Sequence, residues 1–181
     1  MKSVFALGAT LVAACLCALP AHAHAVFDKS EAPPNSSWRP ALRIGHGCEG
    51  TATVRVRITI PEGVIGVKPM PKPGWTIATT KGDYAREYKA LHGVVKAGVK
   101  EIVWSGGSLP EDFYDEFVFS AQVSDAFPAG TTVYFPVLQE CEKGAHNWAE
   151  IPAPGADARK LKSPAPGLRI VDDPAHAQHR H

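Results

Sequence analysis

Three short stretches hold the residues best equipped for chemistry. "ALPAHAHAVF" (18–27) carries His22 and His24 in an alternating Ala-His run. "GHGCEG" (45–50) sets His46 and Glu49 on either side of Cys48. "QECEKGAHNWAEIP" (139–152) surrounds Cys141 with Glu140, Glu142, His146, Trp148 and Glu150. Imidazoles, carboxylates and thiolates are the side chains with which proteins commonly bind metals. A histidine with a free α-amine is special among them, because its amine and its Nδ1 chelate one ion from a single residue. That N-donor pair suits the tetragonal preference of Cu(II). His24 gains this property only if the chain is cut directly before it.

The first residues supply the means. Lys2 is a minimal positive n-region, an apolar stretch runs from Val4 to Leu19, and Pro20 precedes an A-x-A site at Ala21-His22-Ala23. This is the layout of a secretory signal peptide, residues 1–23. The apolar run is short for a membrane span, which needs about 20 residues. Cleavage after Ala23 leaves His24 first. Two rival readings start the chain at Val26, or lipidate Cys15 in the lipobox-like Val12-Ala13-Ala14-Cys15. The protein is expected to be periplasmic or secreted, with no membrane span in its mature chain.

Removing the first 23 of 181 residues leaves 158, enough for one domain with its own core. Lys2 is the only charged residue removed, so 18 basic residues face 18 acidic ones. That balance gives no reason to expect nucleic acid or an anionic surface as partner. Cys15 and Cys17 leave with the signal peptide. Cys48 and Cys141 remain, and two cysteines in an oxidising compartment are most simply one disulfide. A thiolate metal site is the alternative, and no CxxC motif supports it.

These residues must be positioned by strands. "TATVRVRITI" (51–60) alternates, with Val54, Val56, Ile58 and Ile60 on one face and Arg55, Arg57 and Thr59 on the other. "ALRIGHG" (41–47), "KEIVWSG" (100–106), "DEFVFSAQVS" (115–124) and "TTVYFPVLQE" (131–140) are further candidates, and "GLRIVD" (167–172) is a short edge strand. Pro61-Glu62-Gly63, Lys81-Gly82-Asp83, Ser105-Gly106-Gly107 and Pro128-Ala129-Gly130 read as turns. "MPKPGW" (70–75) is too rich in proline for a central strand. The pattern predicts an all-β, immunoglobulin-like antiparallel sandwich over residues 24–153. Residues 154–181 read as a proline-rich linker, that edge strand and a polar tail holding His176, His179 and His181.

At "GHGCEGTAT", "IPEGVIGVKPMPKPGWTI", "EIVWSGGSLPEDFYDEFVF" and "GTTVYFPVLQECEKGAHNWAEIP" the sequence resembles the YcnI-like copper-binding domain family, over most of the mature chain. The resemblance implies a β-sandwich and a single-histidine brace for Cu(II): an N-terminal histidine, a carboxylate from an early strand end, and a tryptophan packed close by. Carried onto this chain, His24 is the brace and Trp148 the indole. The carboxylate's place falls in "HGCEG", where Glu49 is the nearest acid and His46 is an equally near imidazole. Cysteines in both clusters depart from the Gram-positive members, so the ligand set need not transfer intact.

The remaining candidates have plainer readings. Trp75 and Trp104 read as structural, and His92 in "LHGVV" as a loop residue. "PEDFYDEF" (110–117) gathers Glu111, Asp112, Asp115 and Glu116 but lacks the spacing and glycine of a calcium loop, so it reads as a loop entering a strand. Two function classes follow. One is a non-catalytic Cu(II)-binding protein, a metallochaperone or buffer that exchanges metal with another copper-handling protein. The other is a copper oxidase or monooxygenase in which His46 adds a second histidine.

Overall fold

The computed structural model describes residues 24–173. The expected signal peptide with Cys15, Cys17 and His22, and the tail histidines His176, His179 and His181, lie outside the described residues. Nearly all regular structure is β. The strands are β1 (Val26–Phe27), β2 (Glu31–Ala32), β3 (Ser36–Trp38), β4 (Ala41–Ile44) and β5 (Thr53–Thr59). They continue with β6 (Val64–Pro69), β7 (Thr76–Ala90), β8 (Gly93–Leu109) and β9 (Asp115–Val123). The last four are β10 (Thr132–Tyr134), β11 (Val137–Cys141), β12 (Ala145–Trp148) and β13 (Gly167–Ile170). Among the described residues no helix is long and apolar enough to cross a membrane.

The strands form three sheets. One runs β1-β4-β9-β3, with β6 also paired to β9; a second runs β10-β13-β2; the third runs β12-β11-β5-β8-β7. Their inner faces meet in one core that includes Leu42, Phe117 and Phe119, Val133 and Leu168, and Val56, Ile102 and Trp104. Strand β9 is the simplest case. Phe117, Phe119, Ala121 and Val123 are buried and the residues between them are not, as a period of two requires. This is the expected immunoglobulin-like sandwich.

Local departures follow from features a period of two does not contain. In β5 the register against β8 shifts between Thr53 and Arg55. That bulge turns Val54 partly outward and buries Thr53 instead, while Val56 and Ile58 stay inside as expected. "TTVYFPVLQE" is two strands. Pro136 lacks an N–H and breaks the ladder, so β10 and β11 join different sheets. Lys81-Gly82-Asp83 and Ser105-Gly106-Gly107 are not turns but lie within β7 and β8, the arms of a long hairpin. Gly107 serves close approach: a Cβ there would lie 2.2 Å from Trp75 Cε2. The hairpin turns instead at Leu91-His92, where His92 is exposed as expected.

The C-terminal segment also differs from expectation. Strand β13 is not at an edge but lies between β10 and β2, antiparallel to one and parallel to the other. Residues 154–166 return along the body of the fold rather than lead away from it. The Glu150 amide donates to Ser163 O at 3.0 Å, and the Ala165 amide to Glu150 O at 2.9 Å. The linker composition is real, but turns and prolines also suit a crossover whose ends are both pinned. Leu168 and Ile170 are completely buried. Leu168→Ala is therefore expected to cost about 2–5 kcal/mol in denaturant unfolding. A loss below about 1 kcal/mol would mean that β13 contributes little to the core.

Candidate metal centre

The two cysteine clusters meet at one end of the sandwich. Cys48 and Cys141 form a disulfide with their Cα atoms 5.8 Å apart, across 93 residues of sequence. Cys48 opens a tight turn: its amide and carbonyl pair reciprocally with Thr51, at 3.1 and 2.9 Å. Glu49 and Gly50 between them have φ of 52° and 77°, as a two-residue primed turn demands. Cys141 ends β11, and the turn after it leads into β12. In β12, His146 and Trp148 share the inward face, opposite Gln139 and Val137 of β11.

Three imidazoles gather around the Trp148 indole. Ring-centroid distances to it are 6.0 Å from His24, 6.3 Å from His46 and 5.0 Å from His146. His46 and His146 lie 5.4 Å apart, edge to face. The structure thus brings together His24, His46 and Trp148, which the sequence singled out, with His146, which the sequence held in reserve as a donor. The first signal for His146 is its spacing: two residues before Trp148 on a strand is the same face. His46 Nδ1 donates to the Gly47 carbonyl at 2.6 Å. A carbonyl only accepts, so in the neutral ring the lone pair belongs to Nε2. Such a bond to backbone is how metal-binding histidines are commonly oriented.

Beneath the rings runs a buried polar network. Trp148 Nε1 donates to Gln139 Oε1 at 3.0 Å. Gln139 Nε2 donates to the His46 carbonyl at 2.7 Å and to Thr53 Oγ1 at 2.8 Å. The bulge in β5 that buries Thr53 therefore serves this network. No sequence pattern marked Gln139, which reads as an ordinary strand residue.

The acids divide. Glu49 is exposed on its turn, with Oε1 3.4 Å from where a Gly144 side chain would start. Glu140 points to the other face of β11, 3.6 Å from Arg55. Glu142 is exposed, and Glu150 Oε2 accepts from the Ser163 amide at 2.6 Å. Asp115 pairs with Lys72 at 2.7 Å. Glu111 reaches inward instead, with its Oε2 lying 2.5 Å from the position a Gly47 Cβ would occupy. Trp104 is wholly buried and Trp75 packs on the core, the structural roles expected of them.

Burial lowers the His146 pKa below the ordinary imidazole value, and neighbouring His46 pushes the same way. A hydrogen bond to the Gly47 backbone and the charges of Glu111 and Glu49 oppose the shift. The shift favours the neutral form that a metal needs.

Among the described residues no three His, Cys, Asp or Glu side chains converge closely enough to hold an ion as they stand. A cleaved terminus changes the count. In the chain as described the His24 nitrogen is an amide, joined to Ala23. Cleavage would make it an amine, giving His24 two donors, so that one or two of the neighbouring groups complete a set. Imidazole nitrogens with carboxylate oxygens nearby suit Cu(II).

Two outcomes follow from this geometry. Thiol titration of the protein made in an oxidising compartment, unfolded without reductant, should find no free thiol at Cys48 or Cys141, and replacing both cysteines by alanine should cost about 2–5 kcal/mol. For the metal-free protein, the lowered His146 pKa means that the unfolded chain binds more protons in the window between the two pKa values. Stability from this source is complete above about pH 6.5 and is lost as pH falls from there through the folded value. His146→Gln should flatten that part of the curve, measured as unfolding midpoints in chelator. A mutant curve parallel to the wild type would assign the acid sensitivity elsewhere.

Comparison with known proteins agrees with the fold. No curated protein matches the chain. A solved structure of an uncharacterized protein from Nocardia farcinica, described as immunoglobulin-like, is similar with a TM-score of 0.59 at 23% identity. The match covers 82% of this chain and 98% of that one. A family model described as a domain of unknown function, DUF1775, matches residues 24–170, from the candidate brace histidine to the last residue of β13. The chain therefore belongs to the DUF1775 family, the YcnI-like family that its motifs resemble.

Proposed function

We propose that this chain is an exported Cu(II)-binding protein of copper handling, a metallochaperone or buffer, which holds its ion through an N-terminal histidine brace at His24. The observation that carries this reading is the gathering of His24, His46 and His146 around Trp148, with the disulfide joining the segments of His46 and His146. His24 would supply its amine and its imidazole, with His46 or a carboxylate completing the set. The ion's contribution is Lewis acidity or one-electron redox capacity. The chain's contribution is orientation: Gln139 fixes Trp148 and the His46 backbone, and the Gly47 carbonyl sets the His46 tautomer. Glu49 is the family's carboxylate by resemblance. Its exposed position on the turn favours His46 over it.

The second reading, a copper oxidase or monooxygenase, gains from that same second imidazole. It would be supported by reductant-dependent oxidation of an added substrate by the copper-loaded protein, absent in His46→Ala.

The test is made on protein whose first residue is His24, verified by intact mass. It should bind one Cu(II) at its principal site, with a tetragonal paramagnetic resonance spectrum showing nitrogen coupling. One extra residue ahead of His24 should weaken binding by about tenfold or more. Equal affinity would mean that the amine is not a ligand. Imidazoles and amine must shed protons to bind, so apparent affinity should rise with pH. His46→Ala should weaken binding more than Glu49→Gln, and the reverse order would restore the carboxylate of the "HGCEG" turn.

A further inference from the structure

We propose that Glu111, in the turn between β8 and β9, is the carboxylate donor of the metal centre. This rests on reading the site as a Cu(II) centre. Among the described residues, Glu111 Oε2 is buried and has no hydrogen-bond partner. A carboxylate oxygen removed from water needs a cation or a donor, and leaving it without one costs a kcal/mol or several. No lysine or arginine fills that role among the described ion pairs.

The location of that oxygen is specific. It overlies Gly47, 2.5 Å from where a Cβ would stand. Gly47 is the residue whose carbonyl accepts from His46 Nδ1, and whose backbone also bonds His146. Glu111 thus shares one backbone unit with two of the three imidazoles. Any side chain at position 47 would drive it off, and would also meet Thr51 O at 1.9 Å. The glycine is therefore what admits a carboxylate from another loop. Glu49, two residues along, faces solvent and the Gly144 turn instead. Of the two acids, Glu111 exerts the larger electrostatic pull on His146. An oxygen donor beside imidazoles and an amine is a set that Cu(II) accepts.

The experiment uses the chain beginning at His24 with Cu(II) as probe, and compares Glu111→Gln with Glu49→Gln. It reads affinity by chelator competition, the paramagnetic resonance spectrum, and the melting temperature of the metal-free protein. Glu111→Gln should lower affinity by roughly ten- to a hundredfold and shift the g and hyperfine values. Its metal-free melting temperature should hold or rise, because a buried charge is removed. Glu49→Gln should leave affinity and spectrum as in the wild type. Wild-type affinity and spectrum in Glu111→Gln overturn the proposal, as does a drop in metal-free stability with copper binding intact, which marks a structural acid. If Glu111→Gln does not fold, Glu111→Asp decides, since its shorter arm withdraws the oxygen while keeping the charge; wild-type binding there also overturns it. A wild-type chain that binds no Cu(II) refutes the copper reading itself, and that is seen before any variant is compared.

Discussion

Gln139 is almost wholly buried, so its amide must find partners inside the protein or cost about 1–3 kcal/mol for each group left alone. It finds three, on three different parts of the chain: the Trp148 indole, the His46 carbonyl and the Thr53 hydroxyl. The arrangement of the candidate centre depends on that one side chain. It fixes the height of Trp148 on β12, the path of the segment after β4, and the face of β5 that Thr53 presents. A satisfied buried network of this kind has few alternative arrangements, because breaking any bond strands a polar group away from water.

The disulfide acts on the same end of the sandwich by a different means. It joins two segments 93 residues apart, reducing the freedom of the unfolded chain over most of its length. It also places two turns side by side, the primed turn at Glu49-Gly50 and the turn through Gly144. Both use positive φ, so both are short and stiff. His46 and His146 are attached to rigid supports on either side of the bond, and their 5.4 Å separation follows from backbone geometry rather than from long flexible arms.

A centre assembled this way is economical with donors. A histidine brace draws two nitrogens from one residue, which leaves the sandwich to contribute only orientation and one or two more groups. His24 is tied to the fold just beyond its own position, where β1 pairs with β4 and Phe27 packs against Trp38 and Phe135. His24 is thus held by aromatic packing three residues away. The lowered pKa of His146 belongs to the same site, since burial disfavours its charged form and neighbouring His46 adds to the effect.

Much of this was legible in the sequence, for a local reason. Alternation along 51–60 and 115–124 is a property of the strand itself, so the antiparallel sandwich could be read without knowing what each strand faces. The paired cysteines and the spacing of "GHGCEG" and "AHNW" are likewise local. Other features were set only by neighbours across the sheet. The bulge that exchanges Val54 for Thr53 exists because of register against β8. Gly82 and Gly107 look like turn residues until the hairpin partner and Trp75 are seen beside them. The central place of β13 depends on a crossover that composition alone marks as linker. The acids show the division most sharply. Glu49 is adjacent to Cys48 in sequence, yet a positive-φ turn carries it outward. Glu111 is more than sixty residues from His46, yet the absence of a side chain at Gly47 lets it lie over the same backbone. Sequence proximity chose the residue types, and the direction of each side chain was decided by backbone dihedrals and by the space its neighbours left open.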